Sequence, residues 1–478
     1  MKPEPSHDRL GLAHWMRQVM VECEQARRDF SADSVHDLRV ALRRCRSLAA
    51  VIERVDPYSG WKRMRRAGKA VFSALGELRD VQVMGEWIQR LFPQDDPTAC
   101  ATLEFVGGRE AELKREAATA LAQFDQDQWK QWSDNLPHRA EPIALNKLIL
   151  EHLALEHWTQ ARDLHTRALR NRSRVSYHNL RIGIKKLRYM IENFLPDLHK
   201  EFGKDLKHRQ DILGGVHDLD VLWVTAIAVN KFPDDEARFR WRDQIEKERR
   251  ERIDQYREKM IGKDSLWLVW RKRLPKESEV ERGSIERLKM WASFFDPEFQ
   301  TSQRVSRLAL QLYDGLVGKV KAKATSNLTG RTLLEAAAMM RDVGRAKRDR
   351  KHQKRSYKLI RKLDPPLGWQ RKDLEIAALI ARFHRGSLPI SGDGLSGLTE
   401  TQKRQTMMLA GILRLIDAVD GQLNGRVRSL EVEQTEELIR VWAKGNIETQ
   451  PSEKIAAARY LLETAYQRPV IVSIRPAA

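Results

Sequence analysis

One eleven-residue segment occurs twice. HDLRVALRRCR (36–46) aligns without a gap on HNLRIGIKKLR (178–188), at an offset of 142 residues, and both fit H-x-L-R-[VI]-x-[LI]-[RK]-[RK]-x-R. An internal repeat constrains a chain more than composition does, because two copies of one unit must fold alike and bury matching apolar faces. The agreement continues downstream. At the same offset Lys62, Arg65 and Arg66 fall on Lys204, Lys207 and His208. LGELRDVQV (75–83) matches LGGVHDLDV (213–221) at an offset of 138, a four-residue indel apart. Residues 5–135 and 145–265 are therefore expected to be two copies of one helical unit, each carrying a His/Arg helix.

Apolar residues recur at helical spacing almost everywhere, with Gly and Pro between the periodic segments. The expectation is a mainly α chain. Strand-like patterns occur only near the end, at RSLEVEQTEELIRVWAK (428–444) and PVIVSI (469–474), and predict a small sheet packed on a helix at 451–467. The alternating charges of DQIEKERRERIDQYREKM (243–260) read as a solvated helix. The polar segment RLPKESEVERGS (273–284) reads as part of a linker at 271–284, dividing a first domain, 1–270, from a second, 285–478.

Charge limits the function. The chain carries 86 Lys and Arg against 66 Asp and Glu, a net charge of +20, so its field attracts nucleic acid, an acidic membrane or a soluble polyanion. Apolar runs such as LWLVW (266–270) fall far short of the ~20 residues that cross a bilayer, which argues against a membrane span. MKPEPSHDRL lacks the apolar stretch of a secretory signal. Cys23, Cys45 and Cys100 make neither a disulfide framework nor a CxxC pair, and a reducing cytoplasm is the expected compartment.

The repeated helix reads as a built site. At about 100° per residue, with His36 at zero, Arg39, Arg43 and Arg46 fall within an arc of about 80°, and apolar side chains occupy most of the remaining circumference. His178, Arg181, Lys185 and Arg188 repeat the arc, with Tyr189 beside it. Like charges at i, i+3 and i+7 repel along a helix, so either an anionic ligand or nearby carboxylates such as Asp37, Asp80 and Asp218 must compensate. Arg matches phosphate oxygens bidentately, Lys adds a point charge, and His adds a donor near neutral pH. Two parallel stripes suit a long ligand with regularly spaced phosphates. Single-strand nucleic-acid binders interleave aromatic platforms with their cations; here only Tyr189 does so, and the sequence favours a phosphate polymer without bases.

These residues carry a resemblance. HDLRVALRRCR and HNLRIGIKKLR, each followed by an LG-x-x-x-D segment, resemble the two halves of a CHAD domain, the conserved histidine α-helical domain, over roughly residues 5–265. The resemblance implies two antiparallel four-helix bundles related by a pseudo-twofold axis, with a basic central surface that binds inorganic polyphosphate. Carried over by position, the implied contacts are His36, Arg39, Arg43, Arg44 and Arg46 with Lys62, Arg65, Arg66 and Lys69. From the second copy they are His178, Arg181, Lys185, Lys186, Arg188, Lys204, Lys207 and His208, with Tyr189 beside them. The second copy departs at Asp211, where the first has Lys69, which makes its outer edge less basic.

TSQRVSRLALQLYDGL, MMRDVGRAKRDRKHQKRSYKLI, IARFHRG and LAGILRLIDAVD, in that order between 301 and 420, resemble the C-terminal HD-type domain of exopolyphosphatase and guanosine pentaphosphatase enzymes. An HD phosphohydrolase holds its metal with a His, a His-Asp pair and a distant Asp. Here Arg341-Asp342 stands at the His-Asp position and FFDPEFQTSQRVSRLAL (294–310) contains no His, which leaves Asp342 and Asp417 with His352 and His384 as helpers. An Arg supplies a cation where a ligand lone pair is needed, so neither catalytic residues nor a metal or other cofactor is expected. Between Arg341 and Lys372 thirteen Lys or Arg face three acidic residues. This basic run, with Lys354, Arg355, His384 and Arg385, is a candidate extension of the polyphosphate path. The leading expectation is non-catalytic polyphosphate binding, for granule association or for regulating polyphosphate-metabolising enzymes. The alternatives are a metal-dependent phosphohydrolase acting on polyphosphate or (p)ppGpp, and an RNA-binding protein.

Overall fold

In a computed structural model, residues 11–317, 328–345, 351–388, 394–445 and 453–476 are described. They form two compact units, 1–276 and 277–478. The first is all helical: α1 (Leu12–Asp29), α2 (Ala32–Ile52), α3 (Ser59–Leu91), α4 (Pro97–Ala122), α5 (Gln126–Ala144), α6 (Lys147–Asn171), α7 (Arg174–Phe194), α8 (Pro196–Val229), α9 (Asp235–Met260) and α10 (Leu266–Lys272). Successive helices pack against one another within α1–α4 and again within α6–α9, and the two arrays meet through α2 on α7, α3 on α8 and α4 on α8. Two of these three pairs are the helices that carry the repeated motifs.

The duplication begins upstream of the motif, in the way each basic helix is started. Phe30 and Arg172, 142 residues apart, both take left-handed backbone angles (φ 46° and 50°) and donate to Ala26 O and Ala168 O, themselves 142 apart. Such a conformation is uncommon for residues other than glycine. Ser31 then caps α2 by accepting from Ser34 N at 3.1 Å, and Ser173 caps α7 by accepting from Ser176 N at 3.2 Å, each satisfying one of the orphan amides of a first turn.

From Leu38 to Ile52 no residue of α2 is exposed. Leu38, Ala41, Leu42, Cys45 and Leu48 are fully buried, as are Leu180, Ile184, Leu187 and Met190 of α7. The arginines of α2 are consequently half-buried between packed helices. Helix α8 contains a window long and apolar enough to cross a bilayer, but its Leu213, Val216, Leu219, Leu222 and Ala226 are buried within the unit, so packing accounts for its hydropathy.

The second unit comprises α11 (Glu277–Ser293), α12 (Phe299–Val317), α13 (Gly330–Met340), α14 (His352–Ile360), α15 (Arg371–Phe383), α16 (Glu400–Gln422), β1 (Val427–Gln434), β2 (Ile439–Gly445), α17 (Glu453–Tyr466) and β3 (Val470–Pro476). Its sheet has the order β1-β2-β3, with β1 and β2 antiparallel and β2 and β3 parallel. The strand-like segments and intervening helix read from the sequence are these elements. The segment expected as a linker, 271–284, instead holds the end of α10 and the first turns of α11, where Gly283 and Ser284 are buried. A polar sequence conceals the packing there, because Trp369 Nε1 donates to Ser284 Oγ at 2.8 Å from 85 residues away.

Candidate functional site: the basic helices of the two repeats

The two basic helices face one another, and their cations divide into two groups. The first group is committed to the protein. Arg44 donates to Asn193 Oδ1 at 2.7 Å and to the Glu192 carboxylate, which also takes Arg188 Nε at 3.2 Å. Asn193 Nδ2 donates to Ser47 Oγ at 2.9 Å, completing a tie between α2 and α7. Burial would raise the pKa of Glu192, but Arg44 and Arg188 outweigh it and hold the carboxyl below its ordinary range. Arg46 donates to Arg65 O at 2.9 Å, and Arg65 pairs with Glu53. Lys207 pairs with Asp211 at 3.0 Å, so the acidic departure of the second copy neutralises a repeated lysine.

The second group has no ion-pair partner among the described residues: Arg39 and Arg43 on α2, Arg181 and Lys185 on α7, and the exposed Lys62, Arg66, Lys69, Lys186, Lys204 and His208. Arg39, Arg43, Arg181 and Lys185 are half-buried and close enough to act on each other. Burial first, then Arg181, Arg43, Arg39 and Arg188, push the Lys185 ammonium down to about 8. Burial, with Arg43 and Arg79, also lowers Arg39 against the pull of Asp80. Arg39 Nη1 is buried and has no hydrogen-bond partner among the described residues, and the same is true of Tyr189 Oη. An unsatisfied buried donor costs about 1–3 kcal/mol.

Gly76, in the repeated LG segment of α3, makes room for this arrangement: a Cβ there would stand 3.1 Å from Arg39 Nη1. The aromatic rings beside these cations lie against guanidinium groups. Phe72 lies under Arg39 and Arg46, at 5.5 and 4.9 Å, and Tyr189 under Arg43 and Arg188, at 5.8 and 5.0 Å.

The candidate histidines differ. His36 is exposed, whereas His178 Nδ1 lies 3.3 Å from His217 Nδ1. His217 was not among the residues singled out in the sequence, although its place in LGGVHD was a signal. Burial, then Arg181 and His178, push it down to about 4. The carboxylates available in sequence are not the close partners of the stripe: Asp37, Asp80 and Asp218 form no ion pair with it within 4 Å among the described residues, and Glu53 and Glu192 take that place. Asp218 is instead hydrogen-bonded to Trp87, and burial raises it to about 6 despite Arg181.

In the second unit the residues at the HD-type position form a buried ionic core. Arg341, 1 % exposed, lies between the two carboxylates: Nη2 is 3.1 Å from Asp342 Oδ2, Nε is 3.2 Å from Asp417 Oδ1, and Nη1 donates to Ala338 O at 3.1 Å. Arg385 Nε reaches Asp417 Oδ2 at 2.6 Å. Burial would raise Asp342, but Arg341, His352, His384 and Arg345 outweigh it and hold it well below the carboxylate range. The ligand set of an HD phosphohydrolase therefore does not fit, because a guanidinium bridges the carboxylates that would share the ion.

The basic run from Arg341 to Lys372 is not one solvent face, since Arg341 is buried and Arg355 Nε donates to Gly344 O at 2.9 Å. Lys354 is exposed, and residues 346–350 of that run lie outside the described residues. His384 is buried, and Arg385 borders a cavity of about 710 Å3 with Arg414 and Asp417.

Comparison with known families gives two matches. Residues 12–226 match the CHAD domain, and residues 282–447 match the Ppx/GppA phosphatase, domain III. No curated protein matches the chain.

Proposed function

We propose that this chain, a CHAD domain followed by a Ppx/GppA phosphatase domain III, holds inorganic polyphosphate in the groove between its two repeats without hydrolysing it. The observation that carries the reading is the set Arg39, Arg43, Arg181 and Lys185, four half-buried cations from two helices that press on one another and face no acidic partner within ion-pair distance among the described residues. Burying like charges together costs stability, and a chain of phosphates running between α2 and α7 offsets that cost. It also supplies an acceptor for Arg39 Nη1, the orphaned donor.

Two observations favour polyphosphate over a nucleic acid. Base stacking needs a free ring face, and Phe72 and Tyr189 each already carry two guanidinium groups. The exposed cations Lys62, Arg66, Lys69, Lys186 and Lys204 extend the charge beyond the groove, as suits a backbone followed over many phosphates. The absence of hydrolysis rests on Arg341, whose side chain fills the space between Asp342 and Asp417. Retention at polyphosphate granules, or control of an enzyme that makes or degrades the polymer, is the role such binding serves.

The test is a titration of the purified full chain with long-chain polyphosphate at increasing salt. Log affinity should fall linearly with log salt, as counterion release requires, with no orthophosphate released. Salt-independent binding, or none, overturns the reading.

A further inference from the structure

The duplication breaks where each basic helix joins the next, and in the second copy a cavity lies at the break. At the offset of 142, Asp56, Tyr58, Gly60, Trp61 and Lys62 fall on Leu198, Lys200, Phe202, Gly203 and Lys204. We propose that the cavity beside Lys200 and Lys204 binds a nucleoside polyphosphate, with its base against Trp15 and its phosphates on the two lysines.

In the first copy the corresponding corner is filled. Asp56 is fully buried and accepts from Trp61 Nε1 at 2.7 Å, Arg139 Nη2 at 2.7 Å and Tyr58 N at 3.0 Å, and Arg139 lies over the Tyr58 ring at 4.8 Å. Carboxylate and guanidinium match there, and the indole closes the space.

The second copy undoes each of these features. Leu198 removes the carboxylate and Lys200 adds a cation. Gly60-Trp61 becomes Phe202-Gly203, which sets the aromatic ring 6.4 Å from Trp270 instead. Helix α8 also begins at Pro196, ahead of Glu201, the residue that matches the first of α3. What results is a cavity of about 1090 Å3, as roomy as small-molecule sites become.

Its lining is of two kinds. Trp15, Phe194 and Pro196 give it apolar surface, and Lys200 and Lys204 give it charge. The lysines are exposed, stand one helical turn apart, and have no ion-pair partner among the described residues; like charges at that spacing repel, and phosphates between them relieve the repulsion. Glu192, the carboxylate of the lining, is already held by Arg44 and Arg188.

A bare phosphate chain would use the lysines and gain nothing from the indole, whereas a nucleotide uses both. Stacking needs a free ring face, and Trp15 carries one guanidinium, that of Arg44 at 5.4 Å, where Phe72 and Tyr189 each carry two. Arg44 is itself fixed by Asn193 at 2.7 Å, so this wall is set before a ligand arrives.

The test is calorimetric titration of the full chain with ATP, and with tripolyphosphate, which carries more charge and no base. One ATP per chain is expected, bound about tenfold or more tighter than tripolyphosphate, the scale of base–aromatic stacking. Trp15→Ala and Lys200→Glu should each weaken ATP to a similar extent, and Trp15→Phe should retain most of the affinity. Lys200 is exposed, so its reversal leaves the core undisturbed. The site does not rest on the polyphosphate reading: Arg39→Glu with Arg181→Glu should keep ATP binding while losing polyphosphate. Wild-type protein that shows no saturable ATP binding overturns the proposal. Tripolyphosphate bound as tightly as ATP, or wild-type ATP affinity in both Trp15→Ala and Lys200→Glu, does so equally.

Discussion

The first unit sets Arg39, Arg43, Arg181 and Lys185 together, and the second sets Arg341, Arg345 and Arg385 together, but the surroundings of the two clusters are opposite. Each arginine in the second unit lies against a carboxylate of Asp342 or Asp417. In the first unit burial acts first on Lys185 and other cations add to it, while Asp80, which feels Arg39, Arg181 and Lys185, forms no ion pair with them within 4 Å among the described residues. A buried pair of opposite charges is self-sufficient, and removing one member strands the other. A cluster of like charges is incomplete by itself, and its binding energy is available to an anion from outside. Charge content does not separate a binding site from an ionic core; the sign of the nearest neighbour does.

This contrast can be broken most severely by charge reversal. Arg39→Glu with Arg181→Glu replaces two charge-assisted contacts of about 1.5–3 kcal/mol each, and polyphosphate affinity measured by titration should fall by roughly 100-fold or more with little change in Tm. Arg341→Ala should do the reverse. It strands Asp342 and Asp417 in a buried site, at a cost of about 3–5 kcal/mol in denaturant unfolding of the second unit, and should leave polyphosphate affinity unchanged.

A pH series sharpens the comparison. The pKa of Lys185 is depressed from 10.5 to about 8 in the free protein, and a bound polyanion raises it again. Affinity is therefore fully present below pH 8 and declines as pH rises through that value, with proton uptake on binding visible as a buffer-dependent heat in calorimetry. For the unliganded fold the sign is opposite: between about 8 and 10.5 the unfolded chain holds the extra proton, so stability rises with pH across that window. Lys185→Met should remove both effects.

The smallest expected effect is at Gly76. Ala in place of a helical Gly stabilises by roughly 0.5–1 kcal/mol, but its Cβ presses on Arg39 Nη1 from 3.1 Å. Gly76→Ala should raise Tm slightly while weakening polyphosphate binding a few-fold, a divergence that a purely structural Arg39 would not produce.

Much of the fold was legible because the duplication carries it: two copies of H-x-L-R, two LG segments and the helical periods between them place α2, α3, α7 and α8. The repeated start of the basic helices is equally present in the sequence, as Ser31 with Ser34 and Ser173 with Ser176, but it lies outside the repeated motif. The division of the stripe into committed and uncommitted cations was not legible. Glu192 lies 148 residues from Arg44, and no local pattern indicates that it, rather than Asp37, Asp80 or Asp218, neutralises the helix. The same distance effect hides Arg341, whose carboxylate Asp417 is 76 residues away, so a run of basic residues that reads as surface contains a buried ion. Residues 277–284 are polar in sequence and helical in structure because their packing partner, Trp369, comes from far down the chain.

On the proposed reading, the cations between α2 and α7 accept a phosphate chain and leave no place for bases. Competition between polyphosphate and single-stranded RNA at equal phosphate concentration, with the full chain at fixed salt, tests it most directly. Polyphosphate should displace bound RNA, and RNA should fail to displace polyphosphate. Equal competition by the two polymers, or preference for RNA, would contradict the account.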